Sequence, residues 1–299
     1  MTTDPSTVLC VGETMALVTP SSPGRLRTAA QFDLDVGGAE SNVAAHLARL
    51  GQRSTWFSRL GDDELGHRVS DVLTRRGVDL TRVIFDPEAP TGVYFKDPGH
   101  GVLYYRKGSA ASRLSVSDAE ALDLAEVALV HLSGITPALS ASAEAFMDRL
   151  MARAAELNVP VSFDVNHRAP LWSREEAAPV LLRLAQRAGV VFVGRDEAEQ
   201  LWGTSTTAEV RDVLDGPPTL VVKDGDVGAT EFTGEQAVFE PAIPTEVVEV
   251  VGAGDAFAGG FLASMVAGED SGTRLRSGHE RAALTLQTTS DFITEGAST

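Results

Sequence analysis

Cysteine is almost missing: Cys10 is the single one in 299 residues. An intramolecular disulfide is therefore excluded. Because Cys10 sits in the apolar run VLCVG, a buried strand thiol is expected rather than a reactive one. Positive charge is also scarce, with 25 lysines and arginines against 42 acidic residues and a net charge of −17. Such a chain repels nucleic acid and anionic membranes, while leaving room for a local basic pocket around an anionic ligand. No apolar run reaches the roughly 18 residues of a spanning helix, and MTTDPSTVLCVGET carries no basic stretch ahead of an apolar one. A cytoplasmic protein is expected. The six histidines, His46, His67, His100, His131, His167 and His279, lack metal-ligand spacing, so no structural metal is expected. There is no internal repeat, low-complexity tract or linker, and the small polar tail 294–299 is expected to fray.

Apolar residues are plentiful, at 43% of the chain, enough to bury one large core or two ordinary ones. Val127–Leu132, Val161–Asp164 and Val190–Val193 are short apolar runs that read as strands. Between them, Phe146, Leu150, Ala154 and Leu157, and then Glu175–Ala185, read as helices. Alternation of this kind predicts an α/β fold, a mostly parallel sheet with helices on both faces and ligands beyond the carboxyl ends of the strands. Reactive side chains collect at those ends: Asp164, Asn166 and Arg168, then Asp196 and Glu197, then Lys223 to Gly225 after Thr219–Val222.

Nearer the amino terminus, Val8–Val11 and Arg53–Leu60 read as strands, and Gly61-Asp62-Asp63 as turn and cap for a helix over Glu64–Arg76 that stops at Gly77. Gly37-Gly38 opens a helix carrying Val43, Leu47 and Leu50 and stopping at Gly51; read locally, this is a tight turn with an N-cap at Ser41 or Asn42. Met15–Pro20 and Phe32–Val36, interrupted by Pro20, Pro23 and Gly24, suggest a projecting hairpin. Thr91–Lys96 and Val102–Arg106 suggest a second. The second carries aromatics and polar residues without a continuous apolar face, and together with the first it predicts a small sheet that covers one end of the body and excludes water.

The most informative stretch is Val250–Phe261, VVGAGDAFAGGF. Gly252, Ala253 and Gly254 are small enough for successive amides to turn inward, and the apolar run beyond them continues as a helix whose positive end attracts phosphate. Asp255, in the first turn, is either a helix-stabilising acid or a carboxylate placed to take a proton from a hydroxyl attacking phosphorus. Alone, LVVKDGDVGA at Leu220 reads as a strand-turn-strand hairpin, and DVNHR at Asp164 as a local Asp164–Arg168 ion pair.

GGAESNVA, GDDELGHRV and GAGDAFAGGF, in that order, resemble the signatures of the ribokinase-like (PfkB) carbohydrate kinases. The resemblance implies one ribokinase-like kinase domain over 1–299, three-layered, with a small β-sheet lid inserted from about 13–36 and 91–107. It implies ATP and Mg²⁺, and leaves a monovalent cation open. Asp255 would be the catalytic base, with Gly252, Ala253 and Gly254 as the anion hole, and Gly37, Gly38 and Asn42 would meet the sugar. Lys223, Gly225 and Gly228, with Gly252 and Gly254, would lie beside the nucleotide, and Glu197 would organise Mg²⁺ through water. Two departures stand out: Gly194 occupies the place of an Asn, and Val250 and Val251 replace frequent threonines.

YYRKGSAAS at Tyr104, with TGVYF before it and FDVNHRAPLW after it, is similar to the 2-keto-3-deoxygluconate kinases of that family. This implies a sugar-acid substrate held by Tyr94, Tyr104, Arg106, Asn166 and Arg168, arginine being suited to gripping a carboxylate. A kinase for a neutral sugar such as fructose or ribose, and a catalytically idle sugar or nucleotide sensor, are the competing readings. Self-association through the small sheet, giving a homo-oligomer, is also expected.

Overall fold

The structure is a computed structural model that describes residues 7–22 and 24–288. The tail 294–299 and the break at Pro23 lie outside the described residues. The chain begins with β1 (Thr7–Val11), buried throughout. Leu9 and Val11 enter one apolar cluster, Val8 and Cys10 the other. Successive strand side chains point to opposite faces, so a strand buried on both must lie in a sheet covered twice.

β2 (Met15–Pro20) and β3 (Phe32–Gly37) leave the body as an antiparallel hairpin. α1 (Ala39–Arg49) returns, and β4 (Arg53–Phe57) pairs in parallel with β1. The single strand expected over Arg53–Leu60 is two. After Phe57 the chain leaves the main sheet, and β5 (Arg59–Gly61) pairs instead with β6 (Ile84–Asp86), beyond α2 (Glu64–Arg75). Asp63 caps α2, accepting the Gly66 N–H at 2.8 Å, as turn and cap chemistry required. β7 (Val93–Asp97) and β8 (Gly101–Tyr105) form the second hairpin, and parallel pairing of β2 with β7 joins both into one small sheet ordered β3-β2-β7-β8.

Regular alternation follows: α3 (Val116–Ala121), β9 (Val127–Ser133), α4 (Ala141–Glu156), β10 (Val161–Asp164), α5 (Arg174–Ala185), β11 (Val190–Gly194), α6 (Arg195–Trp202), α7 (Thr207–Val213) and β12 (Thr219–Asp224). β13 (Gly228–Thr233) and β14 (Gln236–Pro241) then add an antiparallel edge, before α8 (Ala253–Val266) and α9 (Ser271–Leu286). The main sheet runs β14-β13-β12-β11-β10-β9-β1-β4. Helices α3 to α7 contribute to the apolar cluster on one face, and α1, α2, α8 and α9 to that on the other. This is the expected three-layer α/β architecture. Leu157, expected on the apolar stripe of α4, is instead its half-exposed C-cap residue, because the helix ends at Glu156.

α8 is apolar on all sides and lies deep: Ala256, Phe257, Ala258, Phe261 and Leu262 are buried, and Phe261 meets Phe192 edge to face at 5.2 Å. Each buried phenylalanine contributes about 2–3 kcal/mol. Gly259 and Gly260 let its neighbours approach, since a Cβ there would come within 2.5 Å of His46 Cβ and 2.3 Å of Ser277 O respectively. The second half of the GAGDAFAGGF motif is thus packing chemistry, Gly259 seating α8 on α1 and Gly260 seating it on α9. Among the described residues no helix is long and apolar enough to cross a membrane.

Candidate active site

The carboxyl ends of β1, β9, β10, β11 and β12 face the amino-terminal ends of α1 and α8. Gly252 takes a left-handed φ of +86°, which favours glycine, and is the N-cap of α8. The amides of the opening turn have no intrahelical acceptor, so they present donors and the positive end of the dipole. Asp255 sits inside this turn, buried, and accepts Asn42 Nδ2–H at 2.9 Å across 213 residues of chain. Asn42 Oδ1 has no partner among the described residues and remains an acceptor. Gly38, rather than Ser41 or Asn42, is the N-cap of α1, which frees Asn42 to face the site.

Two cavities meet here. Gly37, Gly38, Asn42, Tyr94, Tyr104, Arg106, Arg168, Gly252 and Asp255 line the smaller, under the small sheet. Asn166, Arg168, Glu197, Lys223, Gly252, Gly254 and Asp255 line the larger, of about 390 Å³, a size in the range of small-ligand clefts. Arg168, Gly252 and Asp255 therefore stand on the boundary. Asn166, expected beside the sugar, lines the larger cavity, in a left-handed backbone conformation with φ 42°. Ala253 is absent from both linings, its N–H turning back to Val250 O at 3.3 Å. Gly225 and Gly228 are absent as well. Both have positive φ, at +52° and +148°, and turn the β12–β13 hairpin, the local role their spacing suggested.

The charges are arranged in pairs. Lys223 Nζ lies 3.0 Å from Asp164 Oδ2, so the local Asp164–Arg168 ion pair does not form. The same ammonium is 3.6 Å from where a Cβ on Gly254 would lie, which sets it beside the glycine turn. Arg106, at the end of β8, is buried against Glu13, which takes Nε at 2.5 Å and Nη2, and also accepts Ser109 Oγ–H. Arg168 is exposed and makes no ion pair among the described residues. Glu197 accepts the amides of His167 and, at 3.2 Å, Gly194. Burial pushes its carboxyl up to about 7, with the nearby Asp164 charge adding to the effect and Lys223 opposing it.

Sequence reasoning missed Glu13, Glu40 and Glu249. Glu13 lies two residues beyond the end of the buried β1, at a strand end where ligands gather in such sheets, and that position was the available signal. Glu40, in the first turn of α1, is fully buried; its Oε1 accepts Ser133 Oγ–H at 2.5 Å, and Oε2 has no partner among the described residues. Burial pushes it up to about 7, with the Asp255 charge contributing. A Cβ on Gly12 would lie 2.1 Å from that carboxyl, so glycine is required there. Glu249 Oε1 accepts the Val250 N–H at 2.9 Å and that of Val251 at 3.3 Å. Its carboxylate thereby holds the backbone just ahead of the glycine turn. Lys96 of β7 reaches it at 3.9 Å, linking the small sheet to this stretch.

Among the described residues, no three His, Cys, Asp or Glu side chains are grouped to hold a metal ion. The larger cavity does carry the carboxylates of Asp164, Asp196, Glu197 and Asp255. Such hard oxygen donors suit Mg²⁺ held mainly by phosphate and water.

The pattern of the pfkB family of carbohydrate kinases matches residues 5–294. The 2-dehydro-3-deoxygalactonokinase of Haloferax volcanii is 34% identical over 283 residues, covering 91% of this chain and 88% of the relative. The 2-dehydro-3-deoxygluconokinase of Thermoproteus tenax is 35% identical over 275 residues, covering 88% and 83%. The solved structure of 2-dehydro-3-deoxygluconokinase from Thermotoga maritima superposes with a TM-score of 0.88 at 27% identity, covering 96% of each chain. The chain belongs to the pfkB carbohydrate kinase family, with its ribokinase-like fold, and is an ATP-dependent sugar kinase.

Proposed function

We propose that this pfkB carbohydrate kinase phosphorylates a terminal hydroxyl of a sugar acid, 2-keto-3-deoxygluconate to its 6-phosphate, in the cytoplasm. The observation that carries the reading is that Arg106, Arg168 and Asp255 line one cavity. Two guanidinium groups converge on a space that a proton acceptor also faces, and a neutral sugar offers them no carboxylate.

The sugar acid lies under the small sheet, acting as a lid, with Tyr94 and Tyr104 stacked at a centroid distance of 5.8 Å forming part of the wall. ATP occupies the larger cavity, its terminal phosphate toward Gly252 and Gly254. Asn42 Nδ2–H, donating to Asp255 Oδ2, fixes the carboxylate at the cavity wall, where it meets the substrate hydroxyl. Asp255 takes the hydroxyl proton as that oxygen bonds to the γ-phosphorus and the bond to the β-phosphate oxygen breaks, releasing ADP. The opening-turn amides of α8 and Lys223 face the charge that develops. When bound, Mg²⁺ supplies neutralisation of the phosphate oxygens, and Glu197 with Asp164 would hold its water shell. A homo-oligomer formed through the lid is part of the reading, supported by exposed Phe32, Leu103 and Tyr105 on the small sheet.

Pairing of Arg106 with Glu13 favours a second reading, a neutral-sugar kinase, because it compensates one of the two arginines. A coupled ATP-consumption screen over 2-keto-3-deoxygluconate, 2-keto-3-deoxygalactonate, fructose and ribose decides between them. The sugar-acid reading expects kcat/KM on an acid to exceed that on either neutral sugar by at least about a hundredfold, the discrimination two charge-assisted contacts can supply. A neutral sugar turned over as well as the acids would reject it.

A further inference from the structure

Glu13 has no part in the transfer chemistry, yet it is 2% exposed and borders the sugar-side cavity. A carboxylate so deeply buried needs compensation, and both of its partners come from the segment after β8. Arg106 meets it edge-on, through Nε and Nη2, and Ser109 Oγ–H donates to its other oxygen. The guanidinium is held a second way, with Arg106 Cζ 5.5 Å from the centre of the Tyr104 ring. A planar group fixed along one edge and over one face has little rotational freedom left. Its remaining edge, Nη1, has no partner among the described residues, and Arg106 lines the cavity.

We propose that Glu13 is a positioning residue for sugar-acid recognition: it holds one edge of Arg106 so that the other presents its donors to the substrate carboxylate. The arrangement also explains how a lid residue can grip an anion selectively. With its charge largely matched by Glu13, Arg106 recognises the carboxylate by donor geometry more than by net charge, while Arg168 supplies the uncompensated charge. The inference rests on the sugar-acid reading.

A double-mutant cycle tests it, with kcat and KM measured on 2-keto-3-deoxygluconate for Glu13→Gln, Glu13→Ala, Arg106→Ala and the Glu13→Gln/Arg106→Ala pair. Glu13→Gln, nearly isosteric, keeps the test available if Glu13→Ala fails to fold. Arg106→Ala should raise KM about tenfold to a hundredfold, the loss of one charge-assisted contact, with kcat less affected. Glu13→Gln should raise KM by a comparable factor, and the pair should be no worse than Arg106→Ala alone. Thermal melting on the same samples separates stability from recognition: a lowered Tm with unchanged KM would overturn the proposal. KM effects that multiply in the pair would overturn it too, since Glu13 would then act independently of Arg106. If Arg106→Ala leaves KM unchanged, the proposal and the sugar-acid reading both fall; if it raises KM while Glu13→Gln does not, only the proposal does.

Discussion

In the smaller cavity the buried cation sits on the small sheet, Arg106, and its counterion Glu13 belongs to the main body. In the larger cavity both partners, Lys223 and Asp164, project from strands of the main sheet. Both partners of the larger cavity thus stand on one sheet, and the proposed nucleotide side does not depend on how the small sheet sits. The proposed sugar side is assembled across a joint between two sheets, so its geometry depends on how the small sheet sits. Arg168 belongs to neither pair and borders both spaces, and among the described residues it is the cation lining them that makes no ion pair.

Replacing Arg168, the cation that borders both cavities, should blur the comparison most. Arg168→Ala is expected to lower kcat/KM on the sugar acid by about two to three orders of magnitude, the loss of an uncompensated charge-assisted contact near the transferring group. It should also raise KM for ATP. Initial-rate measurements with each substrate varied check this, and an effect confined to one substrate would place Arg168 on one side only.

Lys223→Met should sharpen the contrast instead. It leaves Asp164 buried and unpaired, which costs about 3–5 kcal/mol of stability. KM for ATP should rise about tenfold, a loss of roughly 1.4 kcal/mol, while KM for the sugar acid stays within a factor of about two. Denaturant unfolding and steady-state kinetics on the same preparation provide both readings.

Glu40, buried in the first turn of α1 within reach of the Asp255 charge, offers a pH test of the body behind the site. Its carboxyl is raised from 4.5 to about 7 in the folded chain, chiefly by burial. The folded state therefore keeps a proton that the unfolded state has released, and stability falls as pH rises from about 4.5 to 7, with the penalty complete above 7. Glu40→Gln removes that penalty, by at most about 3 kcal/mol. The variant should melt several degrees above the parent at pH 8, and the gap should close toward pH 4.5. A gap independent of pH would contradict a titrating Glu40.

The smallest effect is expected at the joint itself. Lys96→Met removes a long ion pair, at 3.9 Å, between a buried ammonium and the partly exposed Glu249. KM for the sugar acid should rise about twofold to fivefold with KM for ATP unchanged. An effect on ATP alone would show that Glu249 serves the nucleotide side.

Much of this was legible in the chain because its causes are local. Strands of β-branched residues followed by helical spacing specify the layered α/β body, and Gly252 needs glycine for its own backbone angle. Both hairpins were readable from their breaks. Their union through β2 and β7 was not, since parallel pairing joins segments some 77 residues apart in sequence, Leu17 opposite Tyr94. The split at Phe57 was hidden for the same reason, because β5 is defined by its partner β6 and not by its own residues. Arg106 could be singled out, but Glu13 lies 93 residues away and nothing near Arg106 announces it. Asn42 could be assigned to the site, whereas its bond to Asp255 exists only once the glycine face of α8 packs on α1.

The most direct measurement is the turnover of Asp255→Asn alongside its affinity for ATP. The carboxamide keeps an oxygen near Asn42 but is no proton acceptor at neutral pH. Turnover on the preferred sugar should fall by about two to four orders of magnitude, with ATP affinity and Tm close to those of the parent. Turnover within about tenfold of the parent, in a variant that folds and binds ATP normally, would contradict a base at this position.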